Sequence, residues 1–255
     1  MSHTANAFKN GKALIAFLTA GVPSVEDTVK FVQDIEEAGA TLIEIGVPFS
    51  DPIADGPVIM EADVKALENH IHLPQVMDTV KEIRKHTDIP IVLLTYYNPV
   101  FSYPAEKFFT EAKEIGIDGV IIPDLPHEEQ EEIRPLADEN GVDIIQMVAP
   151  TSEERIRANV KNATGFVYVV SSMGVTGMRG TIQTDLNDIV KIVRETTDTP
   201  IAIGFGIHTP EQAGAMAKLA DGVITGSGVV DIINKNGKEA GEKLKAYISG
   251  LKSAL

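Results

Sequence analysis

The stretch "IEIGVPFSDPIADG", residues 43–56, carries three carboxylates in fourteen residues. Glu44 lies within an apolar run that is typical of a buried strand, and Asp55 lies eleven positions later in a segment rich in proline. An ionised acid in apolar surroundings is costly, so either it finds donors or its pKa rises. A carboxyl group with a pKa near neutrality suits general acid–base catalysis. We therefore interpret Glu44 as a candidate acid–base; an inward residue paired with a cation is the alternative.

The other acids carry weaker signals. Asp55 precedes a glycine, and Asp–Gly in a loop is ordinary turn chemistry. Asp51 precedes a proline and resembles a turn or cap residue. Asp124 ends the fourth apolar run, where a structural pairing role is at least as well supported as a chemical one.

Two glycine-rich segments near the end of the chain, "GFGI" and "TGSGVV", are suited to holding a phosphate. Small residues let backbone N–H groups approach the anion, and a following helix adds a favourable dipole. The alternative is that these glycines only form tight turns. The candidates for this cradle are Gly204, Gly206, Gly226, Ser227 and Gly228, with Gly177 from the segment "GVTG".

Missing residue types narrow the mechanism. No lysine lies at the end of an apolar run, where a Schiff-base aldolase would need one. The histidines His70 and His72 lie at or near a helix without a third metal-ligating partner, so a metal-dependent aldolase is poorly supported. The chain contains no cysteine, which excludes a thiolate nucleophile. Acid–base catalysis by carboxylates remains.

A few aromatic residues could line the same pocket. Phe17, Tyr96, Tyr168 and Phe205 all lie in or just after apolar runs. Aromatic residues in strands are usually core, and that reading holds for each of them singly. Together they only hint at a flat apolar ligand.

The elements that position these residues alternate regularly. Eight short apolar runs, starting with "ALIAFLTA" and ending with "DGVITGS", alternate with helix-period stretches such as "SVEDTVKFVQDIEEAG". This pattern predicts an α/β fold, a (β/α)₈ TIM barrel that forms a single domain over residues 1–255. An open doubly wound sheet is the rival, but "LTAGVPS" after the first run does not fit its glycine fingerprint. The candidate residues would then meet at the C-terminal face of the barrel.

Composition excludes several kinds of partner. With 255 residues and a net charge of −15, the chain is repelled by nucleic acids and anionic membranes. The segment "KNGKALIAFLTAG" is too short to span a bilayer and is followed by a turn and a helix, so it predicts a first strand rather than a signal peptide. A cytoplasmic location is expected.

Several motifs in order along the chain resemble the α subunit family of tryptophan synthase. They are "AFLTAGVPS", "EIGVPFSDPIADGP", "IIPDLP", "SSMGVTG", "GFGI" and "TGSGVV". The resemblance implies a TIM barrel that splits indole-3-glycerol phosphate into indole and glyceraldehyde 3-phosphate by a retro-aldol reaction. It implies that Glu44 is the acid–base and that Asp55 stabilises developing positive charge at the indole nitrogen.

The resemblance also implies the remaining site residues. Substrate-binding positions are Phe17, Ile59, Leu94, Tyr168, Thr176 and Phe205, and Tyr96 is added to them as an aromatic residue that follows the third apolar run. Phosphate-binding positions are Gly177, Gly206, Gly226 and Ser227. One departure is Ser172, where some relatives carry an arginine, and Arg179 is nearby but at a different position.

The resemblance further implies a partner, a pyridoxal-phosphate-dependent β subunit in an α2β2 heterotetramer. The cofactor belongs to that partner, and this chain is expected to hold no cofactor and no metal. A non-catalytic phosphate-binding barrel acting as an allosteric partner is the alternative function, but a pure binder has no need for a buried acid. A sugar-phosphate isomerase is disfavoured because the first and fifth apolar runs end without an acid.

Overall fold

A computed structural model describes residues 3–171, 186–204 and 206–255. Nine parallel strands form one sheet in this part of the chain. They are β1 (Ala13–Thr19), β2 (Leu42–Gly46), β3 (Ile91–Leu94), β4 (Gly119–Ile121), β5 (Asp143–Ile144), β6 (Gln146–Val148), β7 (Val167–Val170), β8 (Ile201–Gly204) and β9 (Gly222–Thr225).

In the described part of the chain, one or two helices follow each strand except β5. They are α1 (Val25–Glu37), α2 (Pro57–Glu68), α3 (Leu73–Ile83), α4 (Tyr97–Ser102), α5 (Ala105–Ile115), α6 (Arg134–Asn140), α7 (Glu153–Val160), α8 (Leu186–Thr196), α9 (Pro210–Ala217), α10 (Ser227–Asn236) and α11 (Gly241–Lys252). A capping residue fixes the start of α1, where the Ser24 hydroxyl accepts a hydrogen bond from the Asp27 amide. No helix in the described ranges is both long and apolar enough to cross a membrane.

The strand order closes a barrel. Neighbours follow the order β5-β4-β3-β2-β1-β9-β8-β7-β6, so the two ends of the sheet belong to the fifth apolar run of the sequence. That run forms two short strands on either side of Ile145, whose amide donates to the Val120 carbonyl of β4 at 2.9 Å. The predicted eight-stranded barrel is therefore confirmed, with its fifth strand divided in two.

Apolar side chains fill both sides of the barrel wall. Ile15, Leu42 and Val92 belong to the cluster inside the barrel, which also includes Ala7 from the N-terminal 3₁₀ turn. Larger clusters pack the helices against the outside of the strands. Burial on both faces explains why the strands are continuously apolar in sequence, as parallel strands require.

The segment that follows β2 contains a loop and the start of a helix. In the stretch "PFSDPIADGPVIMEA", the last residues begin α2 at Pro57. Proline suits the first position of a helix because its fixed φ is helical and its missing N–H is not needed there. The loop therefore ends at Gly56, and Asp55 lies two residues before the first residue of the helix.

Asp118 ties together elements at the N-terminal face of the barrel, opposite the candidate site. Its Oδ2 accepts hydrogen bonds from the Ile91 amide at 2.8 Å and from Arg84 Nη2 at 2.8 Å. This joins the turn before β4 to the first residue of β3 and to the end of α3. Both charged side chains are largely buried, so the bonds are poorly screened by solvent.

Asp221 repeats this arrangement in the second half of the barrel. Its Oδ2 accepts from the Ile201 amide at 2.9 Å, and its Oδ1 accepts from Arg194 Nη2 at 3.0 Å. The pair is more exposed than the one at Asp118. The two halves of the barrel thus hold their strand starts by the same kind of carboxylate clamp.

We expect Asp118→Ala to lower the free energy of unfolding by about 2–3 kcal/mol, because a buried charged hydrogen-bonding partner is lost. The matched Asp221→Ala change should cost less, since solvent replaces more of its bonds. Urea unfolding of both variants checks this order. Equal losses, or a larger loss at Asp221, would contradict it.

Candidate active site

A cavity opens at the C-terminal ends of the strands. It is lined by Phe17, Glu44, Ala54, Asp55, Ile59, Leu94, Pro123, Met147, Tyr168, Gly206, Ile207, His208, Ile224, Gly226 and Ser227. The structure thus brings nine of the thirteen sequence-predicted site residues to one cavity. Of the other four, Tyr96 is hydrogen-bonded to Asp55 of the cavity wall, and three lie outside the described residues.

Glu44 is the most unusual group in the cavity wall. It lies in the middle of β2, in register with Phe17 of β1 and Val92 of β3, and is only 1% exposed. Its Oε2 atom is buried without a hydrogen-bond partner in the structure as described. Burial, and secondly the negative charge of Asp55, raise the pKa of the Glu44 carboxyl from 4.5 to about 8. Glu44 therefore holds a proton at neutral pH, which the alternative of a salt-bridged structural residue would not require.

A hydrogen bond from Tyr96, in the connection after β3, holds Asp55 in the connection after β2. The Tyr96 hydroxyl donates to Asp55 Oδ2 at 2.7 Å and accepts from the Ala54 amide at 3.0 Å. Phe49 stacks on the Tyr96 ring with 5.0 Å between centroids. Burial raises the pKa of Asp55, and the hydrogen bond from Tyr96 opposes that rise. Tyr96 thus fixes the position of Asp55 and favours its ionised form.

Asp63, which sequence reasoning missed, adds a third acid to this region. It lies on the inner face of α2 and is only 4% exposed. Burial, followed by the charge of Asp55, raises the pKa of Asp63 to about 8. Its position eight residues after Asp55, with Ala62 and Ala66 on the same buried face, was the available signal. That signal required knowing that a helix starts at Pro57.

Two aromatic side chains of the cavity wall pack directly against the backbone of glycine residues. A Cβ at Gly204 would lie 2.5 Å from the Tyr168 hydroxyl, and a Cβ at Gly46 would lie 2.6 Å from the Phe17 ring. Only glycine fits at either position without displacing the aromatic side chain. Burial, and the charges of Glu44 and then Asp55, raise the pKa of Tyr168 well above its usual value, so its phenol stays neutral.

Apolar side chains form another part of the cavity wall. Ile59 from α2 and Leu94 from the end of β3 supply predicted apolar contacts. Met147 and Ile224 add apolar surface that sequence reasoning did not assign, because alternate residues of every barrel strand face inward and nothing in their type distinguishes them.

The two glycine segments are joined to each other. Thr225 Oγ1 at the end of β9 donates to the Ile207 carbonyl at 3.1 Å and lies 2.8 Å from the Tyr247 hydroxyl of α11. Gly206 has a φ of +80°, a left-handed conformation that favours glycine. These contacts fix the connection after β8 beside the start of α10. Gly226 and Ser227 stand at that helix N-terminus, whose first amides have no partner within the helix.

His208 lies at the exposed edge of the cavity, next to this segment. Its backbone amide donates to Gln212 Oε1 at 2.8 Å, and the same oxygen accepts from the Thr209 amide at the start of α9. The sequence had shown His208 only as one of six histidines. Its place two residues after a cradle glycine was the signal for a cavity residue.

Two of the weaker acidic candidates have structural partners. Asp51 is exposed and accepts a hydrogen bond from the Ser50 hydroxyl at 2.6 Å. Asp124 accepts from the Tyr97 amide at 2.9 Å, at the start of α4. Neither lines the cavity.

Some predicted site positions lie outside the described residues. These are Thr176, Gly177 and Phe205, together with Ser172 and Arg179. Within the described ranges, no group of three or more histidine, aspartate or glutamate side chains is arranged to hold a metal ion.

We expect the Glu44→Gln variant to gain stability over the wild type as pH rises from about 5 to about 8. The folded protein holds a proton on Glu44 that the unfolded chain releases above pH 4.5, so wild-type stability falls with pH until the folded-state value of about 8 is passed. The slope is on the order of 1 kcal/mol per pH unit. Urea unfolding across this range measures it.

Asp51→Asn is the matched control, since it neutralises an exposed carboxyl in the loop that follows β2. It should not change the slope. A stability difference between Glu44→Gln and wild type that is independent of pH would contradict the assignment of a buried proton to Glu44.

Known proteins with similar sequences belong to one family. A family model described as tryptophan synthase alpha chain matches residues 4–254. A protein of that name from Thermoanaerobacter sp. (strain X514) is 48% identical over 246 residues, which cover 96% of this chain and 94% of that protein. One of the same name from Lacticaseibacillus casei is 45% identical over 255 residues, which cover 100% and 96% respectively.

Solved structures agree. A chain from a structure of the Pyrococcus furiosus tryptophan synthase α2β2 complex matches with a TM-score of 0.87 and 39% identity, covering 95% of this chain and 99% of that one. Tryptophan synthase subunit alpha from Legionella pneumophila matches with a TM-score of 0.88 and 31% identity, covering 100% and 98%. The chain therefore belongs to the tryptophan synthase alpha chain family.

Proposed function

We propose that the chain is a carbon–carbon lyase that cleaves indole-3-glycerol phosphate into indole and glyceraldehyde 3-phosphate. The observation that carries this proposal is the buried Glu44 carboxyl, whose Oε2 has no hydrogen-bond partner among the described residues, in the same cavity as Asp55. A barrel that only bound a phosphate would gain nothing from a buried acid, which lowers stability whenever it ionises.

The reaction needs one proton donor that later acts as an acceptor. Glu44, protonated at neutral pH, donates its proton to C3 of the indole ring and leaves a positively charged indolenine. The Glu44 carboxylate then removes the proton of the hydroxyl on the adjoining glycerol carbon. The carbon–carbon bond breaks, its electron pair neutralises the ring, and the hydroxyl carbon becomes the aldehyde. The ring nitrogen is thus the electron sink.

Asp55 is suited to stabilise that nitrogen. Its carboxyl group is kept in place by the hydrogen bond from Tyr96, which favours the ionised form against the opposing effect of burial on the pKa. A negative charge held beside a developing positive charge lowers the barrier most in a site of low dielectric. The charge of Asp55 also raises the pKa of Glu44, so the two acids divide the roles of electrostatic stabiliser and proton donor.

The cavity wall supports binding of both ends of this substrate. Phe17, Ile59 and Leu94 offer apolar contacts for a flat ring. Gly206 and the N-terminus of α10 at Ser227 offer backbone amides for the phosphate. Thr176, Gly177 and Phe205 complete the proposed set from the family motifs. No cofactor of this chain's own is proposed, because the indole ring itself accepts the electrons.

Indole release from indole-3-glycerol phosphate tests the proposal. We expect Glu44→Gln to reduce kcat by at least about 100-fold, the usual contribution of a general acid–base. Asp55→Asn should also reduce kcat, while Asp51→Asn should leave it near the wild-type value. Wild-type activity in Glu44→Gln would contradict the proposal and favour a binding subunit without its own chemistry.

We also propose a cytoplasmic protein that assembles with a tryptophan synthase β subunit, the pyridoxal-phosphate-binding partner. An apolar surface beside the site supports this. Ile53, Met60, Val64 and Phe101 are large apolar side chains that are 79%, 42%, 56% and 67% exposed. They lie on the connections that follow β2 and β3, which the Tyr96–Asp55 bond joins. Exposed apolar surface of this kind marks a protein interface, so a partner there would contact the segments that hold Asp55.

We expect Ile53→Ala and Phe101→Ala each to weaken binding of the β subunit about tenfold, as loss of an apolar anchor at the centre of an interface does. Calorimetric titration with the β subunit of the same organism measures this. Glu239→Ala, on an exposed turn after α10, is the control. Unchanged affinity in both apolar variants would place the interface elsewhere.

A further inference from the structure

Negative charge in and around the described cavity disfavours an anionic ligand, and the backbone amides offset this effect only in part. It is lined by two carboxylic acids, within a chain of net charge −15. The proposed substrate brings a phosphate dianion. Amides and a helix dipole attract an anion, but they carry no full charge. Among the described lining residues, His208 has the only basic side chain.

His208 is placed where a phosphate would lie. It follows Gly206 by two residues and lines the same cavity as Ser227 at the start of α10. The connection that carries it is held on both sides of the residue. Thr225 Oγ1 fixes the carbonyl of Ile207, and the Gln212 side chain fixes the His208 amide.

The ring of His208, unlike its backbone amide, has no hydrogen bond or ion pair in the described part of the structure. The residue is exposed at the edge of the cavity. A histidine with a structural role would bond its ring nitrogens to neighbouring groups. Its backbone is therefore fixed while its ring is left available to a ligand.

We propose that His208 is a phosphate-binding residue that selects phosphorylated over unphosphorylated ligands. Its ring N–H donates to a phosphate oxygen on the side of the anion away from the helix N-terminus. The inference rests on the proposed function for the identity of the substrate. It adds a side-chain contact to a phosphate site otherwise made of backbone amides from Gly206 and the start of α10.

The test uses the whole chain and two stable ligands, glycerol 3-phosphate and indole. We expect His208→Ala to weaken glycerol 3-phosphate binding about tenfold, the effect of losing a charge-assisted hydrogen bond. Indole binding should change less than about twofold, because it engages the apolar wall. With indole-3-glycerol phosphate, the loss should fall on KM more than on kcat. His208→Lys should restore much of the affinity, and His86→Ala, an exposed histidine after α3, is the control.

Unchanged glycerol 3-phosphate binding in His208→Ala would overturn the inference, as would an equal loss for both ligands or no binding of glycerol 3-phosphate by the wild type. These failures are distinct from failure of the proposed function, which is an absence of indole release by the wild type. A wild type that releases indole, with a His208→Ala variant of unchanged KM, would leave the lyase intact and remove His208 from the site.

Discussion

Desolvation of one carboxyl group is the constraint on which the site depends. Glu44 is buried in the middle of β2, and the described residues give its Oε2 no hydrogen-bond partner. Apolar surroundings hold its proton up to a pKa of about 8, with the charge of Asp55 as the second cause. The surrounding strands and helices pack closely enough to leave this residue only 1% exposed. Burial destabilises the ionised form of Glu44, and for the same reason it raises the pKa enough for Glu44 to donate a proton at neutral pH.

The two faces of the barrel divide stability from chemistry. At the N-terminal face, Asp118 and Asp221 each join the start of one strand to its neighbour through amide and arginine contacts. At the C-terminal face, hydrogen bonds join connections rather than strands, as between Tyr96 and Asp55 and between Thr225 and Ile207. Cavity residues from distant parts of the sequence are thereby held relative to one another without an ion pair in the described cavity wall.

Features that follow from the pattern of apolar and polar residues could be predicted from the sequence. Alternating apolar runs determined the barrel, and Glu44 was conspicuous because an acid in such a run breaks the pattern. What depends on distant side chains could not be predicted. The hydrogen bond from Tyr96 to Asp55 joins two loops 41 residues apart. Asp63 resembled any helical surface acid until the start of α2 placed it on the buried face. His208 needed the cavity itself to distinguish it from the other histidines.

A carboxyl-carbon NMR titration of Glu44, assigned by its absence in Glu44→Gln, tests the central claim most directly. We expect the Glu44 carboxyl to titrate near pH 8 in the folded protein, and the midpoint to fall when Asp55 is replaced by Asn. Titration of Glu44 near its ordinary value of 4.5 would contradict the claim, because the residue would then be ionised at neutral pH and unable to donate the first proton.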